Sequence, residues 1–290
     1  MNASASSAAR AATSPAAASG AASLALAVAI ALAVGGPAGA ETPLAASGGE
    51  AWMPVDVGLY KRFVHRQDRD YTTGGMSLGV DRMVGTREER VVAAGADAGD
   101  AAAEIRISTE LRGDESQVSR ETKRVFVSPT SSAYVVHGWD AVADGEQYRL
   151  RYPRPAVVLD EKAAVGKRWH VSSESVGGLA GETWGEVVGL QDARTPAGRF
   201  EKCLVVRYTG TVTGEIEIPG AGRMQVTDGE VVVTEWHARG IGLVLSQERL
   251  RETLVGEGGV ELVASMESET SLAEWRREGA GARGPARAAD

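Results

Sequence analysis

The residues of this 290-residue chain best suited to general-base chemistry or metal ligation are its four histidines, His65, His137, His170 and His237. Three stand close to tryptophans: His137 two residues before Trp139, and the pairs Trp169-His170 and Trp236-His237. Adjacent strand residues point to opposite faces, so if those tryptophans are core, His170 and His237 face away from them into solvent. No short-spaced ligand pair accompanies any of the four, and no metal is expected. Serines are plentiful, but no Gly-x-Ser-x-Gly elbow presents one as a nucleophile. Glu261, Glu267 and Glu269 share a strand face and could bind a cation or serve as acid and base. Their alternation with apolar neighbours reads better as a solvated outer surface. Asp97, Gly99 and Asp100 lack the dense oxygen spacing of a calcium loop. Gly240-x-Gly242 is a fragment of a dinucleotide fingerprint with no helix after it. These patterns assign no catalytic residue and no cofactor.

The elements that would position such residues begin after a leader. Residues 1–40 carry one charge, Arg10, followed by an uninterrupted apolar run from Leu24 to Val34 and the small residues Ala38-Gly39-Ala40. A basic start, an apolar centre too short for a comfortable membrane span and an A-x-A site make a secretory signal, with cleavage expected after Ala40. An uncleaved anchor is the alternative. No cysteine lies near that point to be acylated, so the expected product is exported and soluble, periplasmic or extracellular, with no membrane span. The only cysteine, Cys203, sits in the apolar run Cys203-Leu204-Val205-Val206 and reads as a small buried hydrophobe.

The formal charge is −8, and loss of Arg10 with the leader makes it −9, which argues against nucleic acid as a partner. Residues 41–50 are small and polar, a linker. Residues 277–290 set Arg283 and Arg287 among Gly, Ala and Pro, the composition of a disordered tail.

Between them, 51–276 reads as one antiparallel β domain. Ile105, Ile107, Thr109 and Leu111 alternate with Glu104, Arg106, Ser108 and Glu110, and Val118 to Val127 supplies the hairpin partner across Gly113-Asp114. Val57 to His65 opens the domain with Leu59, Lys61 and Phe63 on one face. Strand-sized runs follow at 75–83, 89–94, 133–136, 148–152, 156–159, 167–173, 182–190, 202–208, 213–218 and 223–227, with Gly85 and Gly138 read as turn signals. Val260, Leu262, Ala264 and Met266 are expected inward on the last long strand. No helix of ordinary length is expected. The fold class is all-β, a large, strongly curved antiparallel sheet forming an open or half barrel.

Glu230 to Trp236 reads as a strand that turns at Gly240 and Gly242 and resumes at Leu243, so Trp236 and the aliphatic residues beyond the corner share a core. A weak echo, Val57-Gly58-Leu59-Tyr60 against Val165-Gly166-Lys167-Arg168-Trp169 and Gly79-Val80-Asp81 against Gly185-Glu186-Val187-Val188, raises the alternative of two related halves in one sheet.

Three segments carry a family resemblance: Val165-Gly166-Lys167-Arg168-Trp169, Thr195-Pro196-Ala197-Gly198-Arg199-Phe200-Glu201-Lys202-Cys203-Leu204, and Glu235-Trp236-His237-Ala238-Arg239-Gly240-Ile241-Gly242-Leu243-Val244. Together they resemble uncharacterised exported bacterial proteins with a Thr-Pro-Ala-Gly-x-Phe-x-x-Cys-Leu turn and a Glu-Trp-Tyr-Ala-x-Gly-x-Gly-Leu-Val corner, His237 replacing the usual Tyr. The resemblance implies a curved sheet distantly similar to the half-barrels of periplasmic lipoprotein carriers, and no activity. From the residues themselves, Pro196 and Gly198 make a hairpin that Phe200 anchors.

These features point first to a noncatalytic exported β protein holding an apolar ligand or an envelope partner on its concave face, on Ile105, Ile107, Leu111, Val260, Leu262 and Met266. The same face could instead be a packed core. The competing functions are a hydrolase of unrecognised type, using carboxylates or His237 near the glycine corner, and a structural envelope module displaying its sheet edges. An open apolar groove would favour carriage, and His237 meeting a carboxylate in a polar cleft would favour catalysis.

Overall fold

The computed structural model describes residues 51–278 except 114–117, 131–132, 144, 161–163, 177 and 219–221. The expected leader, the linker and the tail beyond 278 lie outside the described residues, as does most of the Gly113-Asp114 turn.

The described residues form twelve strands: β1 (Leu59–Thr73), β2 (Met76–Ala93), β3 (Ala103–Arg112), β4 (Val118–Pro129), β5 (Ala133–Ala143), β6 (Glu146–Asp160), β7 (Arg168–Val176), β8 (Leu179–Thr195), β9 (Gly198–Ile218), β10 (Gly222–Ala238), β11 (Gly242–Gly256) and β12 (Glu261–Arg277). They form one antiparallel sheet in the order β6-β5-β4-β3-β2-β1-β12-β11-β10-β9-β8-β7. The sheet curls into a nearly closed barrel, as the period-two patterning implied. Every neighbour pair is consecutive in sequence except β1 and β12, which pair from Leu59↔Arg277 to Thr72↔Val263. β1 and β12 therefore join, and among the described residues the ladder breaks between β6 and β7, with six strands on each side.

Side chains bridge that gap where backbone pairing is missing. Trp169 Nε1 on β7 donates to Val157 O on β6 at 3.0 Å, and the Tyr208 hydroxyl donates to Val158 O at 3.3 Å. Tyr152 donates to Glu174 Oε1 at 2.7 Å, and Lys167 meets Asp160 at 2.9 Å. Pro153 and Pro155 on β6 carry no N–H, so that stretch of the edge cannot recruit a further strand by its amides.

Several expected breaks are absent because their glycines serve another purpose. Gly85 lies within β2 and Gly138 within β5, where a side chain would run into the backbone of the adjacent strand, at Glu110 O and Leu150 O respectively. Glycine here permits close approach, and the strands continue through it.

The main core is contributed heavily by β7 to β12, including Val171, Leu179, Val187, Val206, Val212, Val226, Val231, Leu250, Leu254 and Met266. Each fully buried aliphatic side chain of this kind contributes about 1.5–3 kcal/mol. At the end of the barrel where β1 begins, the segment before it folds inward: Trp52 is buried in the core, and Gly240 N–H donates to Ala51 O at 3.0 Å. The corner between β10 and β11 is where it docks. Gly240 and Gly242 adopt φ of 71° and 84°, and a Cβ at Gly242 would stand 3.2 Å from Pro54 Cδ.

The Thr195–Gly198 turn joins β8 to β9 as expected and also reaches across the sheet, Ala197 N–H donating to Leu272 O on β12 at 2.9 Å. Beneath it lies a second cluster of Phe63, Ala193, Cys203, Ala238, Leu243, Val244 and Leu272, with Trp236 and Phe200 packed against it. Cys203 is fully buried there, and burial pushes its thiol up to about 11.

Candidate ligand-binding chamber

The barrel does not fill completely. A chamber of about 240 Å³ opens between β1 to β6 on one side and β10 to β12 on the other, with Met53 and Pro54 at its end. Alternation places its apolar wall: Ile105, Ile107 and Leu111 of β3, Val125 of β4 and Trp139 of β5 project into it.

The same alternation puts ionisable residues inside, and each is placed by its strand. Lys61 of β1 faces Arg87 and Glu89 of β2, with Lys61 Nζ at 2.6 Å from one carboxylate oxygen of Glu89 and Arg87 Nη2 at 2.6 Å from the other. Burial opposes ionisation of Glu89, but these two cations outweigh it and hold the carboxyl at about 2. Four residues along β1 from Lys61, His65 Nδ1 lies 2.6 Å from Thr270 Oγ1, and burial, with the charge of Arg87, pushes the imidazole down to about 4. His65 is thus neutral in ordinary buffers.

On the opposite wall, His237 Nε2 and Glu235 Oε2 of β10 lie 2.9 Å apart. Glu248 of β11 accepts from Ser268 at 3.5 Å through one oxygen, and burial raises its carboxyl to about 7 against the pull of Arg87. Lys123 of β4 sits 4.8 Å over the ring of Trp139, and burial lowers its pKa. No described carboxylate lies within 4.0 Å of its ammonium.

Two buried polar atoms of chamber-lining residues have no hydrogen-bond partner among the described residues: His237 Nδ1 and Glu248 Oε1. Leaving such a group unsatisfied costs about 1–3 kcal/mol. The Trp139 indole N–H is directed at the Tyr152 oxygen, which donates its own proton to Glu174 and keeps lone pairs to accept.

Of the six residues expected on the concave face, Ile105, Ile107 and Leu111 line the chamber. Met266 is buried in the main core with Leu262 packed against it, and neither reaches the chamber. Val260 is misplaced by the sequence reading: it precedes β12 beside the Glu257–Gly259 turn and is 60% exposed. His237 is also corrected. Alternation holds, but it is Trp236 that faces outward under the Thr195–Gly198 turn, its Nε1 donating to Gln191 at 3.3 Å, while His237 is buried at 1% exposure. His170 behaves as expected, partly exposed beside a buried Trp169.

Sequence reasoning passed over the chamber's charges. One signal was visible, since Lys61 shares a face with Leu59 and Phe63, and a charge inside an apolar stripe must be paired if that stripe is buried. Among the described residues, no group of three or more His, Cys, Asp or Glu could hold a metal ion.

No family model matches the chain, and no curated protein matches it in sequence. Solved structures give distant likenesses only. A candidate lipoprotein from Parabacteroides distasonis is 12% identical, covering 79% of this chain and 100% of that one, with a TM-score of 0.36. A candidate exported protein with a YmcC-like fold from Bacteroides fragilis is 14% identical, covering 79% and 100%, with a TM-score of 0.33. An outer membrane channel from Pseudomonas putida is 12% identical, covering 79% and 99%, with a TM-score of 0.31.

Proposed function

We propose that the protein is a noncatalytic binding barrel that is exported and takes a small organic molecule into its interior chamber. The observation that carries this reading is the chamber itself, with an apolar wall on β3 to β5 and two unpartnered polar atoms, His237 Nδ1 of β10 and Glu248 Oε1 of β11, on residues that line it. An engineered apolar cavity of about 150 Å³ accommodates benzene, so this chamber suits a ring with a short tail. Its mixed walls favour an amphipathic molecule over the purely apolar one that the strand pattern suggested. Export rests on the leader pattern of residues 1–40. Charged residues stand on the outer face, among them Arg66, Glu88, Arg207, Glu230, Arg249 and Glu267, the reverse of a barrel whose exterior meets lipid.

The test is to purify the protein without denaturation, extract it with organic solvent and seek a stoichiometric small molecule by mass spectrometry, with binding of a hydrophobic fluorescent probe to the native protein in parallel. A bound molecule or saturable probe binding supports the reading. Empty extracts together with no probe binding contradict it.

One observation favours a second reading, hydrolysis. His237 does meet a carboxylate in a polar cleft: Glu235 holds Nε2 and leaves Nδ1 bare toward the chamber, the arrangement of an oriented general base. Turnover of ester substrates that H237Q abolishes without unfolding would establish it. A module displaying open sheet edges is less well supported, because β6 and β7 close on each other through side chains.

A further inference from the structure

We infer that the chamber's ligand is an organic acid, bound with its oxyanion at the Lys123 ammonium and its apolar body along Ile105, Ile107 and the face of Trp139. This rests on the binding reading above and adds the ligand's chemical class.

The argument begins with Lys123. A cation drawn into a barrel ordinarily has a carboxylate against it, as Lys61 has Glu89 at 2.6 Å. Lys123 has the π-face of Trp139; Glu121 of its own strand, Glu174 of β7 and Glu248 of β11 face it from beyond 4.0 Å, with Arg87 of β2 opposing them. A buried ammonium without a carboxylate in contact asks for an oxyanion, and an amine would leave it unsatisfied.

Glu248 brings the acidic side of the chamber into agreement. The groups facing it are Arg87 of β2, Lys123 of β4, Glu235 of β10 and Ser268 of β12. Its carboxyl holds a proton up to about pH 7, and in that state it can donate to a bound oxyanion. Above that pH it becomes a like charge. Acid binding should therefore weaken as pH rises through 7, while amine binding should strengthen.

Three probes of one shape separate the possibilities: 3-phenylpropanoate, 3-phenylpropanol and 3-phenylpropylamine, titrated calorimetrically into the purified protein at pH 6 and pH 8. The acid is expected to bind at least about tenfold tighter than the amine at pH 6, the worth of a charge-assisted hydrogen bond, and to weaken at pH 8. K123M should remove the acid's advantage over the alcohol. Should K123M fail to fold, the wild-type probe series decides alone. Equal binding of the three, or an amine preference, overturns the organic-acid assignment and leaves the binding reading standing. Failure of all three to bind, with extracts of the native protein also empty, overturns both.

Discussion

Trp169 and Gly185 are direct cross-strand partners of β7 and β8, and the indole occupies the place a side chain at 185 would take: a Cβ there would lie 2.5 Å from Trp169 Cε2. The same indole donates to Val157 O across the gap in the ladder, so the bare backbone of β8 seats the residue that closes the barrel.

Gly185→Ala is accordingly expected to displace Trp169 and to cost about 1–3 kcal/mol, the usual range for overpacking. Urea unfolding measures it, and hydrogen exchange at residues 156–159 should quicken. In a W169L background the cost of G185A should largely vanish. An unchanged cost there would show that the glycine serves something other than the indole.

Stability should fall as pH rises from about 4.5 to 7. Burial raises the carboxyls of Glu174, Glu248 and Glu252 to about 7 each, so the folded state keeps protons that the unfolded state releases near 4.5. Their contribution is full below the unfolded pKa and is lost through the folded one. His65, lowered to about 4, acts oppositely between 4 and 6.5, since there the unfolded state binds the extra proton. Glu89 at about 2 adds stability above 4.5 that disappears only in strong acid. Three groups against one make the net slope negative. E252Q, at a site raised by burial alone, should raise stability at pH 8 by on the order of 3 kcal/mol and flatten the thermal-melting profile between pH 5 and pH 8. A profile rising over that interval would contradict this charge assignment.

His237→Ala should destabilise the protein by about 1–3 kcal/mol, because the buried ring is lost and Glu235 loses its donor. Gly242→Val should cost at least as much, the backbone being held at φ of 84° with Pro54 and Lys61 beside it. Chemical denaturation measures both, and a neutral result for G242V would remove the corner as the docking point of residues 51–54.

The contrast between these residues shows what could be read from the sequence. Ile105, Ile107 and Leu111 were legible as inward because apolar side chains alternate with charged ones along β3. Lys61, Glu89, Lys123 and Glu248 obey the same alternation with the chemistry reversed, and a reading that sends charge outward cannot place them. His237 failed for a related reason. Alternation separated it from Trp236, but which of the two faced the interior depended on the Thr195–Gly198 turn arriving from β8 and β9 to cover the tryptophan. The pairing of β1 with β12, which turns a curved sheet into a barrel and creates the chamber, is a contact between the two ends of the domain, and no local pattern encodes it.

The central claim is that this chamber admits a ligand, and the indole N–H of Trp139 reports on it most directly. In the ¹⁵N-labelled protein, adding 3-phenylpropanol should shift the Trp139 Nε1–H resonance saturably, while those of Trp184 and Trp275, outside the chamber, stay in place. A Trp139 resonance that does not move at a saturating excess of the probe, or movement confined to the surface tryptophans, would contradict the account.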